Sequence, residues 1–130
     1  MLNLKSIFAT TLSFCLLDGI WIKFVAADLY QRHVTPLLRM QNGQLAAQPL
    51  PAILFYVVAL AALLVLIVKP AVSVTQAWLN GALIGLFAYG TYALTCQSIY
   101  QGWIWKMALL DIAWGIFLCA TAAAVGTYFK

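Results

Sequence analysis

The chain has 130 residues, 65% of them hydrophobic and 8% charged, with seven Lys and Arg against three Asp and Glu and a formal net charge of +4. An ordinary soluble domain is about one quarter charged, and a disordered chain is poor in apolar residues, so both classes are excluded. A membrane helix takes about 20 apolar residues, so four would fill roughly 80 positions and leave only short loops.

The expected architecture is therefore all-α, an integral membrane four-helix transmembrane bundle in a single domain over 1–130, with a short interfacial helix or loop between helices 1 and 2. The cations are scattered singly from Lys5 to Lys130, which disfavours nucleic acid and makes anionic lipid headgroups the simpler partner. Cys15, Cys96 and Cys119 lie in apolar runs without CxxC spacing and read as packed thiols.

The first segment, about 4–27, imitates a secretory signal peptide, because Lys5 precedes an apolar stretch and Val25-Ala26-Ala27 resembles a cleavage site. Asp18 and Lys23 spoil that pattern, so the segment is expected to be kept as the first span. Residues 28–51 then carry Asp28, Arg32, His33, Arg39, the Asn42-Gly43 turn signal and the prolines Pro49 and Pro51. Leu29, Val34, Leu37 and Leu38 recur at roughly helical spacing, which predicts a short helix on the bilayer surface until Pro36 disturbs it.

The second span is predicted at about 52–68, stopped by Lys69-Pro70, with Tyr56 its one polar side chain. The third, about 77–98, has Ala77, Gly81 and Gly85 every four residues, a small-residue stripe that admits another backbone within the protomer or in a homodimer. The fourth, about 105–128, holds Asp111 and Trp114 near its start and small residues from Ala120 to Gly126. Four spans put both termini on one face. Lys23, Arg32, Arg39 and Lys106 fall on the opposite, loop face, against Lys5, Lys69 and Lys130 on the terminal face, a slight lean toward a cytoplasmic loop face.

Spans one and four share a pattern, Leu16-Leu17-Asp18-Gly19-Ile20-Trp21 and Leu109-Leu110-Asp111-Ile112-Ala113-Trp114, in which a carboxylate lies one helical turn before an indole. Duplicated halves would match span one with span three, so a shared local task is the better account. Counted from the loop face at 1.5 Å per residue, both Asp residues lie roughly 9 to 14 Å deep. Tyr56, Tyr89, Tyr92 and Thr95 fall in the same half of the bilayer. The expectation is a polar, aromatic-lined pocket opening toward the loop face, with Asp18 and Asp111 as candidate catalytic residues and Trp21, Tyr56, Tyr89, Tyr92, Thr95 and Trp114 as ligand contacts.

A charged Asp at that depth costs at least about 2 to 3 kcal/mol, so it should face the bundle interior with partners or hold a proton. Two neighbouring carboxylates tend to share a proton, which suits acid–base catalysis on a lipophilic substrate and equally proton-coupled transport. His33 has no Cys or acidic neighbour at ligand spacing, so neither a metal nor a cofactor is expected. Three readings stay open: a pocket for a small lipophilic or amphipathic molecule, with lipid- or isoprenoid-modifying chemistry as one version; a proton-coupled exporter acting as a dimer; and a structural subunit.

Over nearly its whole length the chain resembles the bacterial family catalogued as domain of unknown function 2177. The resemblance rests on Leu17-Asp18-x-x-Trp21, Tyr30, Pro51-Ala52-Ile53-Leu54-Phe55-Tyr56, Lys69-Pro70, Gly81-Ala82-Leu83-x-Gly85-Leu86, Ala88-Tyr89-Gly90-Thr91-Tyr92, Trp103 and Asp111-x-Ala113-Trp114-Gly115. The family typically continues its Tyr-Gly-Thr-Tyr motif with Asp and then Leu-Thr-Asn, where this chain has Ala93-Leu94-Thr95-Cys96. The resemblance implies a multi-pass protein of the bacterial inner membrane and implies no particular reaction.

Overall fold

The computed structural model describes residues 2–130, with the side chains of Gln44 and Leu45 left aside. Asn3 caps the first helix, its side chain accepting from the Ser6 backbone N–H at 2.8 Å. Helix α1 (Leu4–Trp21) passes through a π segment, Ile22–Ala26, into α2 (Ala27–Val34). The residues at both junctions keep right-handed helical angles, so α1 and α2 form one continuous rod. The helical spacing expected around Leu29 and Val34 is present, but it extends the first helix instead of starting a separate one. Pro36 ends the rod in a single 3-10 turn, Thr35–Leu37.

The π segment matters for direction. At 100° per residue, Tyr30 would lie about 120° round the helix from Asp18. A π turn holds close to one extra residue, which sets every following side chain back by roughly that amount. Tyr30 therefore turns toward the side of the rod that carries Asp18.

The next connection is a hairpin, β1 (Met40–Gln41) paired antiparallel with β2 (Gln44–Leu45) in the register Met40 to Leu45 and Gln41 to Gln44. Asn42 and Gly43 have φ of 53° and 75°, the left-handed pair that closes a two-residue type I′ turn. Helix α3 (Pro49–Ala62) starts with proline in its first turn, where the missing N–H has no intrahelical partner to lose, and ends in a second π segment, Leu63–Val68. Ser73 caps α4 (Val74–Ile99) by accepting from the Gln76 N–H at 3.1 Å, and α5 (Trp105–Tyr128) completes the chain.

Among the described residues, three helices are long and apolar enough to cross a membrane: Pro49–Val68, Val74–Ile99 and Trp105–Tyr128. Large apolar side chains such as Leu54, Val58, Leu66, Leu83 and Phe87 point outward, a surface suited to lipid rather than water. Inside, Phe14, Leu63, Val68 and Leu118 are almost wholly buried and tie α1, the end of α3 and α5 together.

Helices α4 and α5 form the tightest pair. A Cβ added to Gly81 would lie 2.6 Å from the Cys119 carbonyl oxygen, and one added to Gly85 would lie 2.2 Å from the Gly115 carbonyl oxygen. This corrects the expectation of a homodimer through Gly81 and Gly85. The stripe is filled by α5 of the same chain, and a second copy could use it only by displacing that helix. Helix α1 runs antiparallel to α5: the Ser6 hydroxyl donates to the Gly126 carbonyl at 2.8 Å at one end, and Trp21 stacks on Trp114 toward the other. At the terminal face the Lys130 ammonium donates to the carbonyls of Val68, Lys69 and Ala71, neutralising the negative end of the α3 rod.

Candidate functional site

Asp18 and Asp111 are 4% and 6% exposed, and they line one cavity of about 450 Å³ between α1, α2, α3, α4 and α5. Its walls are mostly apolar or aromatic, supplied by Trp21, Ile22, Ala26, Phe55, Ala88 and Tyr89 among others. Each carboxylate is held by a phenol. Tyr56 donates its hydroxyl to Oδ2 of Asp18 at 2.7 Å, and Tyr30 donates to Oδ2 of Asp111. The Tyr30 oxygen is also 2.6 Å from the Tyr92 hydroxyl, so three oxygens run in a chain from Asp111 through Tyr30 to Tyr92.

The shared Asp-x-x-Trp pattern acquires a geometric meaning. Because α1 and α5 are antiparallel, Asp18 meets the Trp of the other helix. The Trp114 indole N–H donates weakly to Oδ1 of Asp18 at 3.4 Å, and Trp21 and Asp111 line the same cavity. The two indoles stack at 4.7 Å with 5° between their planes. The two copies of the motif thus pack against each other through their indoles. Donors of this kind offset part of the cost of taking a carboxylate out of water, each about 1.5 to 3 kcal/mol when the acceptor is charged.

The expected contacts divide as follows. Trp21, Tyr89 and Tyr92 line the cavity, whereas Tyr56 and Trp114 reach it through Asp18. Tyr89 packs over Gly115, where an added Cβ would lie 2.1 Å from its ring. Thr95 is exposed on α4 and is not among the lining residues. It lies three residues, about 4.5 Å along the axis, beyond Tyr92, the last α4 residue to line the cavity. Tyr30 is a site residue that simple helical spacing misses, because the π segment turns it inward. Trp103 packs edge-on against Tyr30 at 5.2 Å and Tyr92 at 6.2 Å, closing the loop-face end of the phenol chain. Among the described residues no three His, Cys, Asp or Glu side chains gather closely enough to hold a metal ion.

Residues 3–128 match the family described as predicted membrane protein, DUF2177. The chain belongs to that family. No curated protein and no solved structure matches it. The matched stretch includes every residue of the cavity described above and the three apolar helices.

Proposed function

We propose that this protein is a multi-pass protein of the bacterial inner membrane in which α1 is a fourth span and the cavity holds a small lipophilic or amphipathic molecule. The observation that carries the reading is the convergence of two nearly buried carboxylates on one cavity of about 450 Å³ with otherwise apolar and aromatic walls. Such a space matches the usual ligand site, a largely apolar concavity with a few placed polar groups that fix orientation. Ionisable groups at membrane depth are costly, and a fold keeps them where they serve a ligand, an ion or a proton.

The aromatic walls would bury the apolar body of the ligand, and the carboxylates would meet its polar end. In the enzymatic version one Asp takes a proton, from the substrate in an isomerisation or from an attacking water in a hydrolysis. The other Asp, entering the cycle protonated, gives one to the receiving carbon or to the leaving oxygen, which is acid–base chemistry suited to a lipid or isoprenoid-like molecule. Tyr30 and Tyr56 would orient the two acids. A dimeric exporter is less favoured, because the small-residue stripe that would join two copies is occupied by α5.

The test is the native mass of the protein released gently from membranes, wild type against an Asp18→Asn/Asp111→Asn double variant. Extra mass on the wild type that is missing from the folded double variant is the expected result and identifies the ligand class. The same extra mass on both, or none on either, refutes the reading.

A further inference from the structure

A second, smaller pocket lies on the other side of the α1–α2 rod. It has a volume of about 230 Å³, and its polar lining is Asp28, Arg32, His33 and Lys106. Phe24 and Leu110 supply apolar walls. The Lys23 ammonium stands 5.4 Å from the centre of the Phe24 ring, so a further cation borders the site. The pocket opens at the loop face, where α2 ends beside the α4–α5 turn: Gly102 approaches the His33 carbonyl so closely that an added Cβ would lie 2.8 Å from it.

The charges do not balance within the pocket. Asp28 pairs with Nε of Arg32 at 3.1 Å, both side chains largely exposed, and this is the one ion pair among the described residues. Arg32 and Lys106 thus bring two cations to the pocket lining against the single carboxylate of Asp28. A guanidinium fork, an ammonium and an imidazole around a small space form a set of donors complementary to a phosphate group. Apolar walls directly beneath suit the glycerol and first methylenes of a lipid rather than a fully hydrated ion.

We propose that this pocket binds a phosphate group, as carried by the headgroup of an anionic phospholipid. Arg32 and Lys106 take the phosphate oxygens, Asp28 holds the guanidinium in place, and Phe24 and Leu110 cover the start of the chains. The site is separate from the Asp18/Asp111 cavity and does not depend on what that cavity binds.

Native mass spectrometry of the purified protein titrated with phosphatidylglycerol, and separately with phosphatidylcholine, tests this. The wild type should retain one phosphatidylglycerol in preference to phosphatidylcholine, whose own ammonium opposes the cations. An Arg32→Gln/Lys106→Gln variant should hold phosphatidylglycerol about thirtyfold less well, because each removed cation costs about a factor of five or six near a membrane surface. Lys106→Arg, which keeps the charge, should retain it and serves if the double variant does not fold. Equal retention of the two lipids by the wild type, or undiminished retention by Arg32→Gln/Lys106→Gln, overturns the proposal. Added inorganic phosphate separates the sources: displacement of the lipid shows that a free phosphate suffices, and persistence of the lipid shows that the bilayer-anchored headgroup is the ligand.

Discussion

Replacing Gly85 by alanine should separate α4 from α5 and destabilise the protein by about 1 to 2 kcal/mol net. The new Cβ would stand 2.2 Å from the Gly115 carbonyl oxygen and 2.8 Å from its carbon, whereas ordinary contact begins at 3.4 Å. The two backbones must therefore open by about 1 Å along the axis of this contact. Both opposing atoms are backbone, so no rotamer change relieves the overlap, and overpacking of this kind costs about 1 to 3 kcal/mol. Alanine's better helix propensity returns up to about 1 kcal/mol. Gly19→Ala on α1 is the matched control, since its added Cβ meets nothing within 4 Å and it should be neutral or slightly stabilising. Reversible SDS-induced unfolding in mixed micelles, followed by circular dichroism, reads both variants against the wild type. A Gly85→Ala protein as stable as Gly19→Ala would refute the close α4–α5 contact and reopen the stripe to a second copy.

Tyr56→Phe removes the donor 2.7 Å from Asp18 and should cost about 1.5 to 3 kcal/mol in the same unfolding assay, whereas Tyr92→Phe, which leaves the Tyr30–Asp111 bond in place, should cost less than half as much. Gly115→Ala drives a methyl into the Tyr89 ring at 2.1 Å, so it should reduce any ligand mass retained in the cavity even where the variant still folds. Lys130→Met takes the ammonium away from three carbonyls at the end of the α3 rod and should lower stability by about 1 to 2 kcal/mol, an effect that high salt only partly mimics.

Much of the site can be read along the chain before any packing is known. Asp18 and Asp111 stand out because a carboxylate within an apolar run has few places to go, and counting from the loop face gives them similar depths. Trp21, Tyr89 and Tyr92 follow from the same count. Around the helix axis the sequence is less informative. These helices are apolar on nearly every side, so periodicity does not single out an inward face. Tyr30 shows the consequence, since the π segment, not its spacing from Asp18, turns it inward. Thr95 marks the limit of the depth count by lying one turn beyond Tyr92, the last α4 residue to line the cavity.

The amino-acid sequence by itself determines the class of this protein, since its low charge and long apolar runs leave the bilayer as the environment in which it can fold. It also determines the Asn42-Gly43 reversal, because both residues tolerate the left-handed angles that a two-residue hairpin needs. Tertiary structure decided the partners. The α1–α5 antiparallel packing gave Asp18 the indole of Trp114, the π segment of the first rod turned Tyr30 onto Asp111, and α5 rather than a second copy filled the glycine stripe. Each of these depends on the rotation and approach of two helices together, and no one helix's own residues set either quantity.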